Sequence, residues 1–364
     1  MILSLLSFSI SFIMVAFMLP RILLLSLRKK LIDSVDVRKV HSVPASRLGG
    51  IAFFPAIIFA VLLTISTNNV LLPFIGSTLP VSETLMLESL ALIMLFLIGT
   101  YDDIIGVSYR KKFMVQIVAS LLIVCSGTYF KTFHGFLGIG IVPDYIGIVI
   151  TILFCVFVTN AINLIDGIDG LASLLSIMAL FVFGILLTNN HFVIDSLMVA
   201  ATLGALVPFC YSNVFGIKKR IRSKIFMGDT GALIIGAILG LTAVKVWNIS
   251  YDTLNRPIDH IYYILAYTML LIPCFDVIRI IIHRYKDKKP LFLPDKNHIH
   301  HKFMALGYSA RQALTRIVGI NIAFVVLNIL LSFILNITYI VLIDVVVWSV
   351  MHILISKKIK IKTK

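Results

Sequence analysis

Long apolar segments alternate with short polar connections along nearly the whole chain. The segments run for roughly 17 to 23 residues, which is the length of a helix that crosses the hydrocarbon core of a bilayer. The pattern predicts about eleven membrane-spanning helices, near residues 3–26, 48–66, 85–100, 113–130, 144–161, 170–188, 193–211, 231–248, 261–282, 314–335 and 338–356. We therefore expect an all-α fold, a polytopic membrane helical bundle that forms one domain over residues 1–364.

Composition and charge support this expectation. The chain is 59% hydrophobic and 13% charged, with a mean hydropathy of +1.03, far more apolar than a soluble domain. Nearly all of its 32 Lys and Arg fall in alternate connections, whereas the opposite connections contain only Lys131 and Arg256. Because basic residues are retained inside, the N-terminus is predicted outside and the C-terminus in the cytoplasm. This topology also explains the net charge of +15 without a nucleic-acid partner, since the basic loops lack interleaved aromatic residues.

Aspartate and histidine crowd the same connections as the basic residues, although topology does not dictate where they go. Asp102 and Asp103 follow an apolar span directly. Adjacent carboxylates repel each other, so such a pair suits a bound cation or proton transfer, but an ordinary solvated helix end explains it equally well. Asp229 lies between glycines at a predicted helix start. There it either caps the helix or, as the glycines favour, lies where a ligand approaches the backbone.

The stretch TNAINLIDGIDGLA places four polar side chains at intervals of three, namely Asn160, Asn163, Asp166 and Asp169. On one continuous helix each step of three falls short of a turn by about 60°, so the four cannot share a face. Gly167 and Gly170 favour a helix end after Asp166, with Asn163 and Asp166 facing one ligand and Asp169 another. These oxygen ligands suit magnesium, and an interhelical hydrogen-bond network is the alternative.

His298, His300 and His301 lie within one cytoplasmic connection. Zinc is not expected, because no Cys or Glu stands at zinc spacing and adjacent histidines do not easily bind one ion. Contact with phosphate fits better, whereas a solvated basic loop would explain the neighbouring lysines but not the density of histidine.

Five segments together resemble the polyprenyl-phosphate N-acetylhexosamine-1-phosphate transferases, a family that includes the phospho-N-acetylmuramoyl-pentapeptide transferases. The segments read DSVDVRKVHSVPASRLGG, YDDIIG, NAINLIDGIDGLA, IFMGDTGAL and PDKNHIHHKF. They lie in connections 27–47, 101–112, 161–170, 212–230 and 283–313. These connections are expected to form the active site. The HIHH and RKVH elements resemble the branch that starts O-antigen, common-antigen and teichoic-acid lipids. The resemblance implies transfer of an N-acetylhexosamine-1-phosphate from a UDP-sugar to undecaprenyl or another polyprenyl phosphate, with release of UMP. GlcNAc-1-phosphate is the favoured group. It also implies a multi-pass protein of the bacterial cytoplasmic membrane, and leaves monomer and homodimer open.

The resemblance also implies residue roles. Asn163 and Asp229 match magnesium ligands, with Mn²⁺ as a substitute, and Asp102 and Asp103 match the pair that deprotonates the lipid phosphate, with Asp103 as the favoured base. A covalent Asp intermediate is the rival mechanism. The remaining matched positions are expected to contact the nucleotide, its diphosphate or its ribose, with Asp169 near uracil: Asn160, Asp166, Asp169, His298, His300, His301, His41 and Arg47.

Three other functions compete with this one. The muramoyl-pentapeptide reaction or another UDP-aminosugar donor would use the same chemistry. The CDP-alcohol phosphotransferases also use membrane aspartates and magnesium, but their compact DG…AR…G…D signature is absent. A secondary transporter would share the many spans and intramembrane acids, yet transporter sites lie near the membrane midplane, whereas these acids cluster at cytoplasmic ends.

Overall fold

The computed structural model describes residues 1–29, 31, 45–71, 79, 81–219, 221–252, 260–288 and 297–362. Within these ranges the α-helices, α1 to α13 in order, are Ile2–Arg28, Phe53–Leu71, Glu83–Ile105, Tyr109–Cys125, Asp144–Ile165, Leu171–Asn189, Val193–Phe215, Gly228–Asp252, His260–Met269, Leu271–Lys286, Ile299–Ala305, Ala310–Ser332 and Ile337–Lys362. A 3-10 helix covers Leu48–Ala52, and the short strands β1 to β5 are Ala45–Ser46, Thr132–Phe136, Ile139–Ile141, Ile217–Lys219 and Ile221–Ile225.

The prediction of a polytopic all-α bundle is confirmed. Within the described ranges, nine helical segments are long and apolar enough to cross a membrane, and α9 with α10 forms a tenth candidate that is bent by 53°. The chain is hydrophobic in all of them because a helix surrounded by lipid and other helices has no aqueous face. The bend between α9 and α10 was not predicted, although Pro273, which lacks a backbone N–H, follows it directly.

The fourth predicted span corresponds to α4, which ends earlier than predicted. Its C-cap residue is Ser126, and the following Gly127 has a φ of 89°, a conformation that does not continue a helix. The 17 residues of α4 rise by about 25 Å. Lys112 near its start contacts Asp229 at the start of α8, whereas Ser126 contacts Glu88 in the first half of α3. α4 therefore runs the length of the bundle. It is a further helix beside the ten candidate spans named above.

α8 lies at the centre of the bundle and packs against α3, α5, α6 and α9. Close approach to α5 depends on small residues, since a Cβ on Gly236 would lie 2.6 Å from the Cα of Thr159. α1 and α13 lie at the periphery and expose one apolar face each. The N-terminus of α8 consequently opens at one end of the bundle, surrounded by the ends of α3, α4 and α5.

Several ionisable groups inside the bundle are paired. Lys245 Nζ lies 2.6 Å from Glu88 Oε1 and also forms an ion pair with Asp195. Asp344 in α13 accepts hydrogen bonds from Tyr267 Oη at 2.9 Å and Asn328 Nδ2 at 2.8 Å. Buried ionisable groups in a membrane need such partners.

Two small sheets were not predicted. β1 pairs in parallel with β5, and β4 pairs with β5 in antiparallel, so the connection after α7 folds as a hairpin at the same end as the N-terminus of α8. β2 and β3 form an antiparallel hairpin at the other end, where Trp247 Nε1 donates to the carbonyl oxygen of Thr132 at 2.7 Å. Strands this short carry too little periodicity to be recognised from sequence.

Candidate active site

Asp103 accepts hydrogen bonds from the start of α8. Its Oδ1 accepts from the backbone amide of Asp229 at 2.8 Å, and its Oδ2 accepts from the amide of Thr230 at 2.9 Å and from Thr230 Oγ1 at 2.6 Å. A helix N-terminus leaves such amides without intrahelical partners, and the helix dipole favours a negative charge there. Asp103 is thus an N-cap that α3 supplies to α8, and it fixes the position of Asp229.

Lys112 joins the other two carboxylates. Its Nζ lies 3.0 Å from Asp102 Oδ2 and 2.5 Å from Asp229 Oδ2. Asp102 Oδ1 also accepts from the amide of Val107 at 2.5 Å, and Asp229 Oδ1 accepts from Asn163 Nδ2 at 2.9 Å. Side chains from α3, α4, α5 and α8 therefore meet at one point, as predicted for Asp102, Asn163 and Asp229.

Glycines allow the chain after β1 to lie against the start of α8. A Cβ on Gly50 would lie 2.1 Å from the backbone nitrogen of Gly231, and a Cβ on Gly228 would lie 2.1 Å from the carbonyl oxygen of Arg47 and 2.6 Å from Asp103 Oδ2. The sequence suggested that these glycines admit a ligand. In the structure the neighbour is the protein's own backbone, which places the exposed Arg47 at the edge of the carboxylate cluster.

The helix end predicted within NAINLIDGIDGLA is present. α5 ends just before Asp166, and α6 begins after Gly170, whose φ is 85°. Burial, together with the negative charges of Asp169 and Asp229, raises the pKa of the Asp166 carboxyl to about 7. Asp169 forms an ion pair with Lys224 of β5. Asn163 and Asp169 consequently have different partners, as their spacing predicted.

The histidine connection lies against this turn. A Cβ on Gly167 would lie 2.1 Å from His300 Nε2, so the ring of His300 covers the backbone there. The rings of His300 and His301 are 4.2 Å apart, and those of His298 and His300 are nearly parallel at 5.7 Å. His298 Nδ1 lies 2.8 Å from Oδ2 of the fully buried Asp276. This buried carboxylate anchors the connection.

His300 is neutral at physiological pH. Burial, together with the neighbouring rings of His301 and His298, lowers the pKa of its imidazole to about 3. His300 is buried, and neither of its ring nitrogens has a hydrogen-bond partner among the described residues. A buried polar group without a partner is costly, so both nitrogens are available to a ligand.

Two predicted site residues remain. Asn160 Nδ2 donates to Gln116 Oε1 at 2.6 Å and to the carbonyl oxygen of Val156 at 2.7 Å. This is the interhelical hydrogen-bond network that was the alternative for the Asn/Asp series, and it engages the amide of Asn160 away from the carboxylate cluster. His41 lies outside the described residues.

Asp229 and Asn163 could hold a hard divalent cation. Magnesium is usually bound through one or two carboxylates together with substrate phosphates and waters. In the described part of the chain no three His, Cys, Asp or Glu side chains converge as a metal site. The ammonium of Lys112 lies between the carboxylates of Asp102 and Asp229, so this position favours a positive charge.

Sequence reasoning gave no role to several residues of this region, namely Lys112, Asp276, Lys224 and Thr230. Lys112 and Lys224 belong to basic runs that topology alone explains. Asp276 could have been found, because an ionisable residue inside an apolar span is by default a functional candidate.

Comparisons with known proteins match the part of the chain that carries this site. Residues 85–247, which run from α3 to α8 and include the carboxylate cluster, match the model of glycosyl transferase family 4. The chain is 29% identical over 347 residues to a probable undecaprenyl-phosphate N-acetylglucosaminyl 1-phosphate transferase of Bacillus subtilis, covering 94% of this chain and 86% of the relative.

Two further relatives have similar names. The chain is 28% identical over 292 residues to a decaprenyl-phosphate N-acetylglucosaminephosphotransferase of Mycolicibacterium smegmatis, covering 76% of this chain and 69% of the relative. It is 29% identical over 289 residues to an undecaprenyl-phosphate alpha-N-acetylglucosaminyl 1-phosphate transferase of Yersinia pestis, covering 79% and 73%. Over most of its length the chain is therefore similar to polyprenyl-phosphate N-acetylglucosamine-1-phosphate transferases, and its residues 85–247 match glycosyl transferase family 4.

Proposed function

We propose that the protein transfers GlcNAc-1-phosphate from UDP-GlcNAc to a polyprenyl phosphate such as undecaprenyl phosphate and releases UMP. The observation that carries this proposal is the convergence of Asp102, Asn163 and Asp229, with Lys112 between them, at one end of a membrane bundle. Three relatives are named for this sugar phosphate and for a polyprenyl phosphate. A site at a bundle end suits a soluble nucleotide that must meet a membrane-bound lipid.

The end of the bundle that carries the site is assigned to the cytoplasm. Its connections contain nearly all the basic residues, and the opposite connections contain very few. The protein is then a multi-pass protein of the bacterial cytoplasmic membrane, with its N-terminus outside and its C-terminus inside.

Both reactants are anionic, so their approach requires positive charge. Magnesium held by Asp229 and Asn163 would screen the diphosphate of the nucleotide when bound. Lys112 contributes a cation of the chain's own at the same place. His300, neutral and without a partner among the described residues, is placed to donate or accept one hydrogen bond with the nucleotide.

Asp102 is better placed than Asp103 to take the proton of the lipid phosphate. Both oxygens of Asp103 accept from the start of α8, whereas Asp102 Oδ2 accepts from the Lys112 ammonium and its carboxyl lies beside that of Asp229. In the proposed step, an oxygen of the lipid phosphate attacks the sugar-side phosphorus of the nucleotide, and its proton passes to Asp102. The bond to the UMP oxygen breaks, and UMP leaves with the electron pair.

Attack through a covalent aspartyl intermediate is the rival mechanism. The two mechanisms differ when the acceptor is withheld. A covalent route releases one UMP per enzyme from the sugar nucleotide alone, and direct attack releases none until polyprenyl phosphate is added.

The transporter alternative is disfavoured by the interior of the bundle. Transport sites lie near the membrane midplane at broken helices. Here the interior ionisable residues Lys245 and Asp344 are engaged by protein partners, and the carboxylates of Asp102, Asp103 and Asp229 stand at one end.

The test measures UMP release by the purified protein with UDP-GlcNAc, polyprenyl phosphate and magnesium. Release should require all three, and a panel of other UDP-aminosugars with the same acceptor should identify the preferred donor. Asp102→Asn should abolish most of the activity. The matched control is Glu83→Gln, which makes the same carboxylate-to-amide change at the exposed, opposite end of α3. Absence of UMP with every UDP-aminosugar would refute the proposal.

A further inference from the structure

A cavity of about 650 Å³ lies between α10 and α13, with α11 closing one end. This volume is within the range of about 300–1,000 Å³ typical of ligand sites. Its apolar part is lined by Phe275, Ile278, Ile282, Val345 and Ile353. The carboxylate cluster lies on other helices, whereas α11, which closes one end of the cavity, also carries His300, so the cavity adjoins the histidine part of the proposed site.

The polar part of the cavity is strongly basic. Arg279, Lys286, Lys302, Lys357 and Lys360 line it, and no acidic residue does among those described. Burial and the positive charge of Arg279 lower the pKa of Lys302 to about 8. Cations crowded in this way are stabilised by an anion.

Three buried donors in the cavity lining are unsatisfied. Trp348 and His352 are each only 4% exposed. Among the described residues, Trp348 Nε1, both ring nitrogens of His352 and Arg279 Nε have no hydrogen-bond partner. Donors buried without partners are rare in proteins, and these nitrogens are covered by surrounding atoms rather than open to the cavity, so a ligand there would contact the basic side chains of the lining.

We propose that this cavity binds an anionic membrane phospholipid, with its phosphate among the basic residues and an acyl chain along the apolar part. Charge complementarity selects a phosphate-bearing lipid. The apolar part continues onto the outer surfaces of α10 and α13, which face the lipid. There the side chains of Ile281, Val346 and Val350 are exposed. A bulk phospholipid is favoured over the acceptor lipid, because the acceptor phosphate must reach the carboxylate cluster on α3, α4, α5 and α8. The site does not depend on the proposed function.

Tryptophan fluorescence provides a direct test, because the chain has only two tryptophans. Trp348 lines the cavity, whereas Trp247 lies at the opposite end of the bundle, where it bonds to Thr132. The variant Trp247→Phe leaves Trp348 as the only reporter. In nanodiscs, phosphatidylglycerol with brominated acyl chains should quench Trp348 more strongly than brominated phosphatidylcholine at the same mole fraction.

Neighbouring lysines supply the matched control. Lys357 lines the cavity, and the exposed Lys358 does not. Lys357→Gln should weaken the preference for phosphatidylglycerol by about fivefold, whereas Lys358→Gln should leave it nearly unchanged. If Trp247→Phe fails to fold, the difference between the wild type and Trp348→Phe gives the same signal.

Three results would overturn the proposal. Equal quenching by the two lipids would show that the cavity does not select an anion. Equal effects of Lys357→Gln and Lys358→Gln would reduce the preference to general surface attraction. Relief of quenching by one equivalent of polyprenyl phosphate would assign the cavity to the acceptor lipid instead.

Discussion

Replacing Asp103 by Asn tests whether this carboxylate positions α8 or transfers a proton. One amide oxygen can still accept from the backbone of Asp229, and the Thr230 hydroxyl can rotate to accept from the new NH₂ group. The amide of Thr230 loses its acceptor, which costs about 1.5–3 kcal/mol for a bond to a charged group. Loss of the charge at the helix N-terminus costs about 0.3–1 kcal/mol more. Asp103→Asn should therefore destabilise the protein by about 2–4 kcal/mol.

Asp102→Asn makes the same chemical change one residue away and provides the control. It weakens a partly exposed ion pair with Lys112, worth about 0–1 kcal/mol. If Asp102 is the general base, its replacement should lower turnover by about 10²–10⁴-fold. Asp103→Asn should instead raise the magnesium concentration needed for half-maximal activity, because the start of α8, which carries Asp229, is held less firmly once the Thr230 amide has lost its acceptor.

The assay combines thermal unfolding in detergent with UMP release across pH and magnesium concentration. Asp102→Asn should remove the acidic limb of the pH profile, and Asp103→Asn should keep it. Unchanged stability of Asp103→Asn together with loss of the acidic limb would refute the positioning role and restore Asp103 as the base.

Three further predictions concern the surroundings of the cluster. Gly167→Ala should abolish activity, because its Cβ would lie 2.1 Å from His300 Nε2. Gly240→Ala should retain activity, because the nearest neighbour of its Cβ would lie at 3.4 Å. Restoration of stability when His300→Ala is added to Gly167→Ala would confirm the clash. The pKa of the Asp166 carboxyl is raised from 3.8 to about 7, so the folded protein holds this proton more tightly than the unfolded chain does. In EDTA the melting temperature should therefore fall as the pH rises from 3.8 to about 7. Asp166→Asn should flatten this fall. Lys112→Met leaves two carboxylates without their counter-charge, so melting with and without magnesium should show a larger magnesium-dependent stabilisation than the wild type; an equal shift would contradict the proposed cation position.

The sequence predicted the elements of the fold because each carries its own signal. Apolar runs of membrane length identify spans, and the glycines after Asp166 identify a helix end. The early end of α4 and the hairpin of β2 and β3 were missed, because apolar residues continue past Ser126 and conceal the change in backbone. The bend between α9 and α10 could have been found, because Pro273 interrupts the apolar run beside it.

The sequence brought the correct motifs together but did not predict how their side chains divide the work. Asp102 and Asp103 are adjacent and chemically identical, and only the position of α8 distinguishes them. Lys112 appeared to be a topological lysine, although its ammonium lies between two carboxylates. Such roles depend on contacts between residues far apart in the chain, which no local pattern encodes.

Backbone packing, rather than long side chains, brings the reacting groups together. A Cβ on Gly99 would lie 2.6 Å from the Cα of Thr230, and one on Gly50 would lie 2.1 Å from the nitrogen of Gly231, so α3 and the 3-10 helix touch the start of α8 directly. At that distance the short side chain of Asp103 reaches the free amides of α8. Groups held by rigid elements lose little entropy when substrate binds, and their charges need no rearrangement during reaction. The glycines of RLGG and GDTG are therefore as necessary to the proposed chemistry as the carboxylates they bring together.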